Sequence, residues 1–265
     1  MFKVRNSDGR EGVDAETDWM GLLESWDAQQ DSSIPNREPK FEGMLEVLAA
    51  YLPTTFKALD LGSGPGSLSL RILRRFPDAS VVAVDFDPVL LKIGQNALKD
   101  FGGRIAWVDA DVGTAGWRGR LPTSKFDAVV SSTAIHWMDK PRVRRLYRDL
   151  ARVLRGGGIF LNGDVMPWVT SKKLHEISEK IRYSKHGTLE VEFAPWREWW
   201  EKVEKEQRAL ASAFEEKKKR FANGQPSEGM LPIETHIRMI RQAGFGEVDT
   251  IWQNLLEDRV LAAIR

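Results

Sequence analysis

Helical spacing of apolar residues marks the beginning of the chain. Residues 14–31 place four large side chains at the 3/4/7 spacing of an amphipathic helix, namely Trp19, Leu22, Leu23 and Trp26. A polar stretch follows, and a second helical pattern covers residues 41–52 and stops at Pro53. The sequence therefore predicts two helices before the first strand.

From residue 56 onward, short apolar runs alternate with longer amphipathic ones. The predicted strands are residues 56–61, 80–85, 104–108, 126–131 and 159–161. The predicted helices between them are residues 67–76, 88–100 and 140–154. Asp139 is suited to cap the last of these helices and Pro141 to begin it, and the glycines 156–158 are expected to end it. Strands and helices that alternate through short turns predict a parallel, doubly wound α/β sheet.

The alternation stops after residue 162 and returns near the end. Residues 165–230 are rich in Trp, Glu, Lys and Arg and contain helical runs such as 196–221. A helix at 233–243 and strands at 247–253 and 259–264 complete the pattern. The chain is predicted to divide into an N-terminal helical lid segment (1–40), an α/β core (41–164), a helical lid insertion (165–230) and the completion of the core (231–265).

Composition and charge narrow the function classes. The formal net charge is +1, which gives no overall attraction to nucleic acid or to an anionic membrane. No apolar run approaches the roughly 20 residues of a bilayer span, and the first residues lack the apolar core of a signal peptide, so we expect a cytoplasmic protein. The absence of cysteine excludes disulfides, thiolate metal sites and a cysteine nucleophile.

The strongest chemical motif follows the first predicted strand of the core. Residues 59–66 read Leu-Asp-Leu-Gly-Ser-Gly-Pro-Gly, and glycines let the backbone turn sharply and approach a ligand without a Cβ in the way. A predicted helix begins directly afterwards and presents free N–H groups. The spacing differs from the dinucleotide pattern G-x-G-x-x-G, because the third glycine comes one residue earlier, and the phosphate loop G-x-x-x-x-G-K-[ST] is absent.

A second motif lies at the end of the second predicted strand. Asp85 comes 19 residues after Gly66, where a carboxylate can accept hydrogen bonds from both hydroxyls of a ribose. Phe86 follows and is suited to pack against an adenine face. The two residues indicate a ligand that contains a nucleoside.

Together these residues resemble the class I S-adenosylmethionine (SAM)-dependent methyltransferases. The resemblance covers about residues 41–164 and 233–265, and it includes the turn Leu-Arg-Gly-Gly-Gly at 154–158 before the fifth strand. It implies a Rossmann-like seven-stranded sheet with an antiparallel last strand, SAM as cofactor and S-adenosylhomocysteine (SAH) as product. The alternative is a Rossmann-like domain that binds a different nucleotide.

The resemblance also assigns residues to the methionine half of SAM. The glycine turn, with Asp60, Gly62, Ser63 and Gly64, is expected to pass under this half. Ser131 ends the fourth strand, and its backbone carbonyl is expected to meet the SAM amino group.

Other residues are assigned to the nucleoside half. Asp85 is expected to hold the ribose, with Phe86 beside the adenine. Of the two acids after the third strand, Asp111 with the backbone of Val112 is favoured over Asp109 for the adenine amino group.

Within this family, the sequence is most similar to small-molecule methyltransferases of the trans-aconitate and quinone-biosynthesis type. The similarity rests on Ala-Ile-His-Trp-Met at 134–138 and on Asn-Arg-Glu-Pro at 36–39. It implies a small-molecule methyl acceptor and a contact between Arg37 and the SAM carboxylate. The alternative for Arg37 is a solvent-exposed position in a polar linker.

His136 is the candidate general base. Methyl transfer from a sulfonium to O, N or S is an in-line displacement, in which the protein mainly aligns the reactants and excludes water. A base is needed only where the acceptor must lose a proton. His136 follows the fourth strand, near the carboxyl edge where ligands bind in such folds, and histidine titrates near neutrality. Its alternative role is to line the pocket or to hydrogen-bond SAM.

Several other chemistries are disfavoured. Without cysteine, the covalent route to carbon 5 of pyrimidines is closed, and the Asn/Asp-Pro-Pro-Tyr/Phe motif of amino-group methylation is absent after the fourth strand. The four histidines show no metal-ligand spacing, so no metal is expected. An arginine-rich helix at 141–155 leaves an RNA methyltransferase as an alternative, although an exposed amphipathic helix explains it better. A catalytically silent SAM- or nucleotide-binding module is the third hypothesis.

Aromatic residues favour an apolar or planar acceptor. Six of the ten tryptophans lie in the first helix or in the insertion: Trp19, Trp26, Trp168, Trp196, Trp199 and Trp200. Such side chains can form the walls of a covered acceptor pocket. The alternative is that they pack together as a small helical core against the sheet.

Overall fold

A seven-stranded sheet carries the other elements of the chain. The computed structural model describes residues 17–34, 36–168, 171–188, 194–222 and 230–265, and the strands follow the order β3-β2-β1-β4-β5-β7-β6. They are β1 (Lys57–Leu61), β2 (Ser80–Asp85), β3 (Ile105–Asp109), β4 (Phe126–Ser132), β5 (Leu154–Val165), β6 (Glu247–Gln253) and β7 (Asp258–Ile264). Strands β1 to β5 pair in parallel, and β7 runs antiparallel to both β5 and β6. The predicted Rossmann-like sheet with its antiparallel last strand is confirmed.

Helices cover both faces of this sheet. The described helices are α1 (Trp19–Ser33), α2 (Arg37–Tyr51), α3 (Ser67–Arg75), α4 (Pro88–Ala97), α5 (Lys140–Val153), α6 (Lys172–His186), α7 (Ala194–Glu206), α8 (Ala211–Arg220) and α9 (Ile233–Gln242). Helices α1 to α4 pack with α7 and α8 on one face, and α5 and α9 pack on the other. Because both faces are covered, the central strands are apolar on both sides.

Alternate residues of the strands point into these two cores. Ala58 and Val130 face the α1–α4 side, whereas Leu59 and Val129 face α5 and α9. The insertion adds α7 and α8 to the first core, so it extends the α/β domain.

Several predicted boundaries were wrong, and three of these errors concern elements around the site. Helix α2 begins at Arg37 and not at residue 41, because Pro39 lies in its first turn, where proline is tolerated. Strand β5 begins at Leu154 and not at residue 159. Its pairing with β4 shifts register between Phe126 and Ala128, so the glycines 156–158 lie inside an irregular part of the strand. The run 196–221 is two helices, α7 and α8, separated at residues 207–210.

The arginine-rich helix is the amphipathic helix that the sequence favoured. Asp139 caps α5 by accepting a hydrogen bond from the backbone N of Arg142 at 2.8 Å. Four of the apolar side chains of α5 that were expected to face inward are buried, namely Val143, Leu146, Leu150 and Val153. Residues 14–16 of the first predicted helix lie outside the described residues. Within the described parts of the chain, none of the helices has the length and hydropathy needed to cross a membrane.

Candidate active site

The glycine turn after β1 joins three parts of the carboxyl edge of the sheet. The backbone N atoms of Gly62 and Ser63 both donate to the Val84 carbonyl of β2, at 2.8 and 3.1 Å. Gly62 has a φ of 64°, in the left-handed region that favours glycine. A Cβ at Gly62 would lie 2.3 Å from the Cβ of Ala134. Gly62 is therefore required where the turn touches the loop after β4.

Gly64 leaves room for a ligand. Its φ is 55°, and a Cβ built on it would have as nearest neighbours Leu90 Cδ1 at 3.8 Å and Trp26 Nε1 at 4.0 Å. The backbone N of Gly64 donates to Asp85 Oδ2 at 2.7 Å, which ties the turn to the end of β2. The open backbone and the neighbouring carboxylate fit the methionine and ribose parts of SAM.

Backbone groups hold the Asp85 carboxylate in place. Besides Gly64, the backbone N atoms of Phe86 and Asp87 donate to Asp85 Oδ1 at 2.7 and 2.8 Å. Burial raises the pKa of Asp85 to about 6, with the charge of Asp87 adding to the rise and the backbone N–H donors opposing it. Near neutral pH the group is therefore mainly an anionic acceptor, as a ribose contact requires.

Asp60 lies deeper than the sequence alone indicates. It is 1% exposed, and its Oδ2 accepts a hydrogen bond from Ser69 Oγ of α3 at 2.6 Å. Burial raises the pKa of Asp60 to about 7, the Ser69 hydrogen bond opposes this, and the charge of Asp85 adds to it. This carboxyl group ties β1 to α3 beneath the turn; its predicted contact with SAM stays a prediction.

Helix α8 of the insertion packs over the edge near β2 and β3. Arg220 forms a two-pronged ion pair with Asp109, at 2.6 and 2.8 Å. Its guanidinium also donates to the Phe86 carbonyl at 2.9 Å and lies 5.0 Å from the Phe86 ring centroid. Lys217 of the same helix pairs with Asp87. These contacts fasten the insertion to the side of the site where the nucleoside is expected.

The two acids after β3 have different surroundings. Asp109 is engaged by Arg220, whereas Asp111 is half-buried and its Oδ1 accepts from the backbone N of Gly113 at 2.8 Å. Val112 beside it is buried. Both acids therefore have protein partners, and the choice of Asp111 over Asp109 for the adenine stays a prediction.

Ser131 is fully buried at the end of β4. Its Oγ donates to the Leu61 carbonyl at 2.9 Å, which fixes β4 against β1 directly before the glycine turn. Its predicted role concerns the backbone carbonyl, and the side-chain contact neither requires nor opposes that role.

His136 is paired with an acid that sequence reasoning missed. Its Nδ1 lies 2.6 Å from Asp164 Oδ1, and its backbone N donates to Asp164 Oδ2 at 3.1 Å. Asp164 stands on β5, is 2% exposed, and also accepts from the backbone N of Val165 at 3.0 Å. Burial alone would raise the pKa of Asp164, but His136 and Lys40 hold it below its ordinary value. Because the anionic Asp164 carboxylate accepts a hydrogen bond from protonated Nδ1, Nε2 is the ring nitrogen of His136 that can take a proton.

A signal for Asp164 was present in the sequence. It comes at the end of the fifth strand, as His136 comes after the fourth, and the carboxyl ends of neighbouring parallel strands meet at one edge. The short predicted strand, residues 159–161, ended before Asp164 and hid this relation.

Arg37 differs from both readings of the sequence. It is 5% exposed and forms ion pairs with Asp27 at 2.9 Å and Asp31 at 3.2 Å, with its guanidinium 4.7 Å from the Phe41 ring centroid. The solvent-exposed alternative was wrong, because α2 begins at Arg37 and packs it against α1. In this arrangement the Arg37 guanidinium is already paired with two carboxylates of the protein, which argues against the predicted contact with the SAM carboxylate.

Most of the selected tryptophans form the helical core. Trp26 of α1 packs edge-on against Trp199 and Trp200 of α7, at centroid distances of 5.0 and 5.8 Å, and Trp196 packs on Trp200. Trp199 Nε1 donates to Ser25 Oγ at 2.9 Å. The core alternative therefore holds for these side chains, although Trp26 also reaches the space beside Gly64.

Trp168 is placed differently. It lines a cavity of about 420 Å³ together with Pro167, Lys172, His175, Glu176, Met230 and Pro232. Trp168 follows Asp164 by four residues, so their Cα atoms are at most roughly 14 Å apart. Pro167 and Trp168 follow the carboxyl end of β5, the strand that carries Asp164. The described residues that line the cavity include neither member of the His136–Asp164 pair and no residue of the glycine turn.

One group of side chains in the described chain has the geometry of metal ligands. His175, Glu179 and Glu257 offer ligand atoms that all lie within 4.8 Å of one another. Glu257 Oε2 lies 2.9 Å from His175 Nδ1, and Glu179 Oε1 lies 3.5 Å from Arg182 Nε. Each of the three side chains thus has a protein partner, and the expectation that no metal is bound stays a prediction.

Comparisons with known proteins relate the chain to methyltransferases. Residues 58–158 match a family model described as a methyltransferase domain. The chain is 22% identical over 236 residues to a carboxy-S-adenosyl-L-methionine synthase of Nautilia profundicola, covering 86% of this chain and 87% of that protein. It is 37% identical over 125 residues to an uncharacterized methyltransferase of Mycobacterium tuberculosis (47% and 55%) and 28% identical over 138 residues to a trans-aconitate 2-methyltransferase of an Azoarcus species (52% and 49%). The alignments with these two methyltransferases span about half of their length.

Solved structures share the fold. A putative O-methyltransferase of Nostoc punctiforme has a TM-score of 0.59 at 14% identity, covering 93% of this chain and 60% of that one. The protein PigF, solved with SAH, has a TM-score of 0.55 at 18% identity, with the same coverage.

Proposed function

We propose that this chain, of which residues 58–158 match a methyltransferase domain, is a class I SAM-dependent methyltransferase that methylates a small molecule whose proton is taken by His136. The observation that carries this proposal is the 2.6 Å contact between His136 Nδ1 and the buried Asp164 carboxylate. A base oriented by a buried acid is useful only where the acceptor must lose a proton.

The residues have separate tasks in this proposal. SAM, when bound, supplies a sulfonium-activated methyl group that is transferred by in-line displacement to an O, N or S atom and leaves SAH. The glycine turn and Asp85 hold the methionine and ribose parts. His136 accepts the acceptor's proton on Nε2, and Asp164 keeps Nδ1 protonated and stabilises the imidazolium that forms. Helix α8 covers the nucleoside side and limits the access of water.

The cavity beside Trp168 is the proposed acceptor site. Its volume of about 420 Å³ is in the usual range for a small-molecule pocket. Trp168, Met230 and two prolines give it mainly apolar walls, which suit a planar or apolar molecule. Lys172 lies at the same wall and is suited to an acidic substituent on that molecule.

The test is SAH formation with a panel of small aromatic and acidic molecules, followed by mass spectrometry of the products. The proposal expects one methylated product per SAH and loss of turnover in His136→Gln. His186→Gln, which changes a histidine of α6 away from β4, is the matched control. Turnover with RNA but with none of the small molecules would contradict the proposed acceptor class.

One observation favours a second candidate. The alignment with the carboxy-S-adenosyl-L-methionine synthase covers most of both chains, whereas the two methyltransferases align over about half of theirs. SAM itself would then be the molecule that is modified: a carboxylic acid of the panel would supply the carboxyl group and take the proton that the SAM methyl group loses. Mass spectrometry of the same reactions distinguishes the two, because methyl transfer yields SAH and this second reaction yields carboxy-SAM.

A further inference from the structure

A buried ion pair lies next to the His136–Asp164 pair. Lys40 of α2 is fully buried, and its Nζ donates to both carboxylate oxygens of Asp258, at 2.9 and 3.2 Å. Asp258 is 3% exposed and is the first residue of β7. Burial of two charges is costly, and their attraction offsets this cost only where the geometry is good and the remaining polar atoms are hydrogen-bonded.

The pair reaches the catalytic edge by two routes. A Cβ built on Gly163 would lie 3.0 Å from Lys40 Cδ and 3.2 Å from Cγ, so the lysine stem packs against the backbone directly before Asp164. In the antiparallel pairing of β5 with β7, Asp258 stands opposite Val165, the residue after Asp164. Burial raises the pKa of Asp164, and the contact with His136 lowers it. The charge of Lys40 lowers it further, so the pKa lies below its ordinary value.

We propose that Lys40 is a positioning residue that, with Asp258 as its counter-ion, keeps Asp164 anionic and limits the proton affinity of the His136–Asp164 pair. Since this inference rests on the proposed role of His136, it deepens that role by assigning the group that sets the charge of its partner. Lys40 contacts neither SAM nor the acceptor in this scheme and acts only through Asp164.

The other charged and titratable groups around Asp164 cannot replace Lys40. Burial lowers the pKa of His236 on α9 to about 4, so it is neutral, and its Nδ1 lies 2.5 Å from the Tyr147 hydroxyl of α5. Burial, with the charge of Asp164, raises the pKa of Tyr147 well above its ordinary value, so it is neutral as well. Arg259 lies opposite Asp164 on β7, but it donates to the Glu257 carbonyl and stacks on Trp168.

Two substitutions are predicted to move the titration of His136 in opposite directions. Lys40→Met keeps the buried stem but removes the cation, so the imidazolium is less repelled and the titration midpoint rises. Asp258→Asn leaves Lys40 without its counter-ion, so the midpoint falls. Each displacement is expected to be roughly one pH unit or less, the scale of one partly buried charge acting across a few ångströms of protein.

The experiment is an NMR titration of the whole chain of 265 residues. The chain contains four histidines, so the His136 ring signal is assigned by its loss in His136→Gln. Asp149→Asn is the matched control, because Asp149 is also buried and ion-paired, with Arg118 at 2.9 Å, but on α5. It is expected to lower stability without displacing the His136 midpoint.

The outcomes separate this inference from the proposed function. Opposite displacements support it; no displacement, or displacement in one direction by both variants, overturns it. If either single variant fails to fold, the double variant Lys40→Met/Asp258→Asn replaces it, because it leaves no unpaired charge. A smaller upward displacement of the His136 midpoint is expected from it, since Lys40 acts more closely on Asp164 than Asp258 does. An unchanged midpoint in the double variant overturns the inference. The measurement needs no acceptor, so displaced midpoints with His136→Gln still fully active would reject His136 as base and leave the coupling intact.

Discussion

Replacement of Asp164 by asparagine tests the proposed catalytic pair most directly. The wild-type carboxylate accepts three hydrogen bonds, from His136 Nδ1, the His136 backbone N and the Val165 backbone N. An asparagine offers one acceptor oxygen and one donor NH2. If its oxygen faces the ring, the NH2 opposes the backbone N–H of His136. If it turns over, the NH2 faces Nδ1 and selects the tautomer whose Nε2 already carries a proton.

The expected loss follows from the bonds that change. A hydrogen bond to a charged group contributes about 1.5–3 kcal/mol, and 1.36 kcal/mol corresponds to a tenfold change in rate. Loss of the charged contact to the imidazolium therefore predicts a decrease in kcat of roughly 10- to 150-fold. The wrong tautomer adds to this decrease, so the estimate is a lower bound.

The assay compares pH–rate profiles of wild type, Asp164→Asn and Asp164→Glu with one acceptor. In the wild type, the rate should rise with pH as His136 loses its proton; in Asp164→Asn this rise should shift to lower pH, because the imidazolium has lost its anionic partner. SAM affinity, measured by calorimetry, should stay within about threefold of the wild type. Asp164→Glu retains the charge and should keep more activity than Asp164→Asn.

A clear result would refute the reasoning. If Asp164→Asn is folded and retains wild-type turnover with an unchanged pH profile, Asp164 does not act on the base. The same result for His136→Gln would show that no base is used, as for an acceptor that is already anionic.

Three further predictions concern the cofactor site. The affinity for SAM, measured by calorimetry, should weaken as the pH falls through about 6, where Asp85 gains a proton. Asp85→Ala should weaken SAM binding by roughly 1–3 kcal/mol and remove this pH dependence. Gly64→Val should abolish SAM binding, and it should also lower the melting temperature, because a β-branched residue is strained at a φ of 55°. Gly116→Val is the control: Gly116 has a φ of 88°, and a Cβ built on it has no atom within 4 Å. This variant should therefore affect only stability. The folded-state pKa of Asp60, about 7, lies above the ordinary value of 3.8, so the wild type loses stability as the pH rises from about 4 to 7. Asp60→Asn has no such group and should therefore gain stability relative to the wild type through this window. Urea unfolding should show a gain of a few kcal/mol.

The core of the fold was predictable because its signals are local. Short apolar runs, the glycine turn and the acids at strand ends each occupy a few consecutive residues, and β2 and β6 were placed with their observed bounds. Boundaries failed where tertiary structure overrides local preference. Pro39 lies in the first turn of α2, and the glycines 156–158 are held in β5, where Gly157 N donates to the Arg265 carbonyl at 2.8 Å.

The site was only half predictable for a similar reason. His136 and Asp85 stand beside recognisable motifs, whereas Asp164 and Lys40 have no motif of their own and acquire a role only through their neighbours. Arg37 shows the reverse case: its motif indicated a ligand contact, but Asp27 and Asp31, on a different helix, pair with it in the structure.

The direction of β7 explains how such distant residues meet. In a parallel sheet, each strand brings its last residues to the carboxyl edge, as β4 and β5 do before His136 and at Asp164. Because β7 is antiparallel, it brings its first residue instead, and Asp258 comes to stand opposite Val165. A parallel strand in the same place would bring residues near Ile264 to this edge and leave Lys40 buried without a counter-ion. The antiparallel strand therefore makes it possible for α2 to carry a cation beneath the proposed catalytic pair.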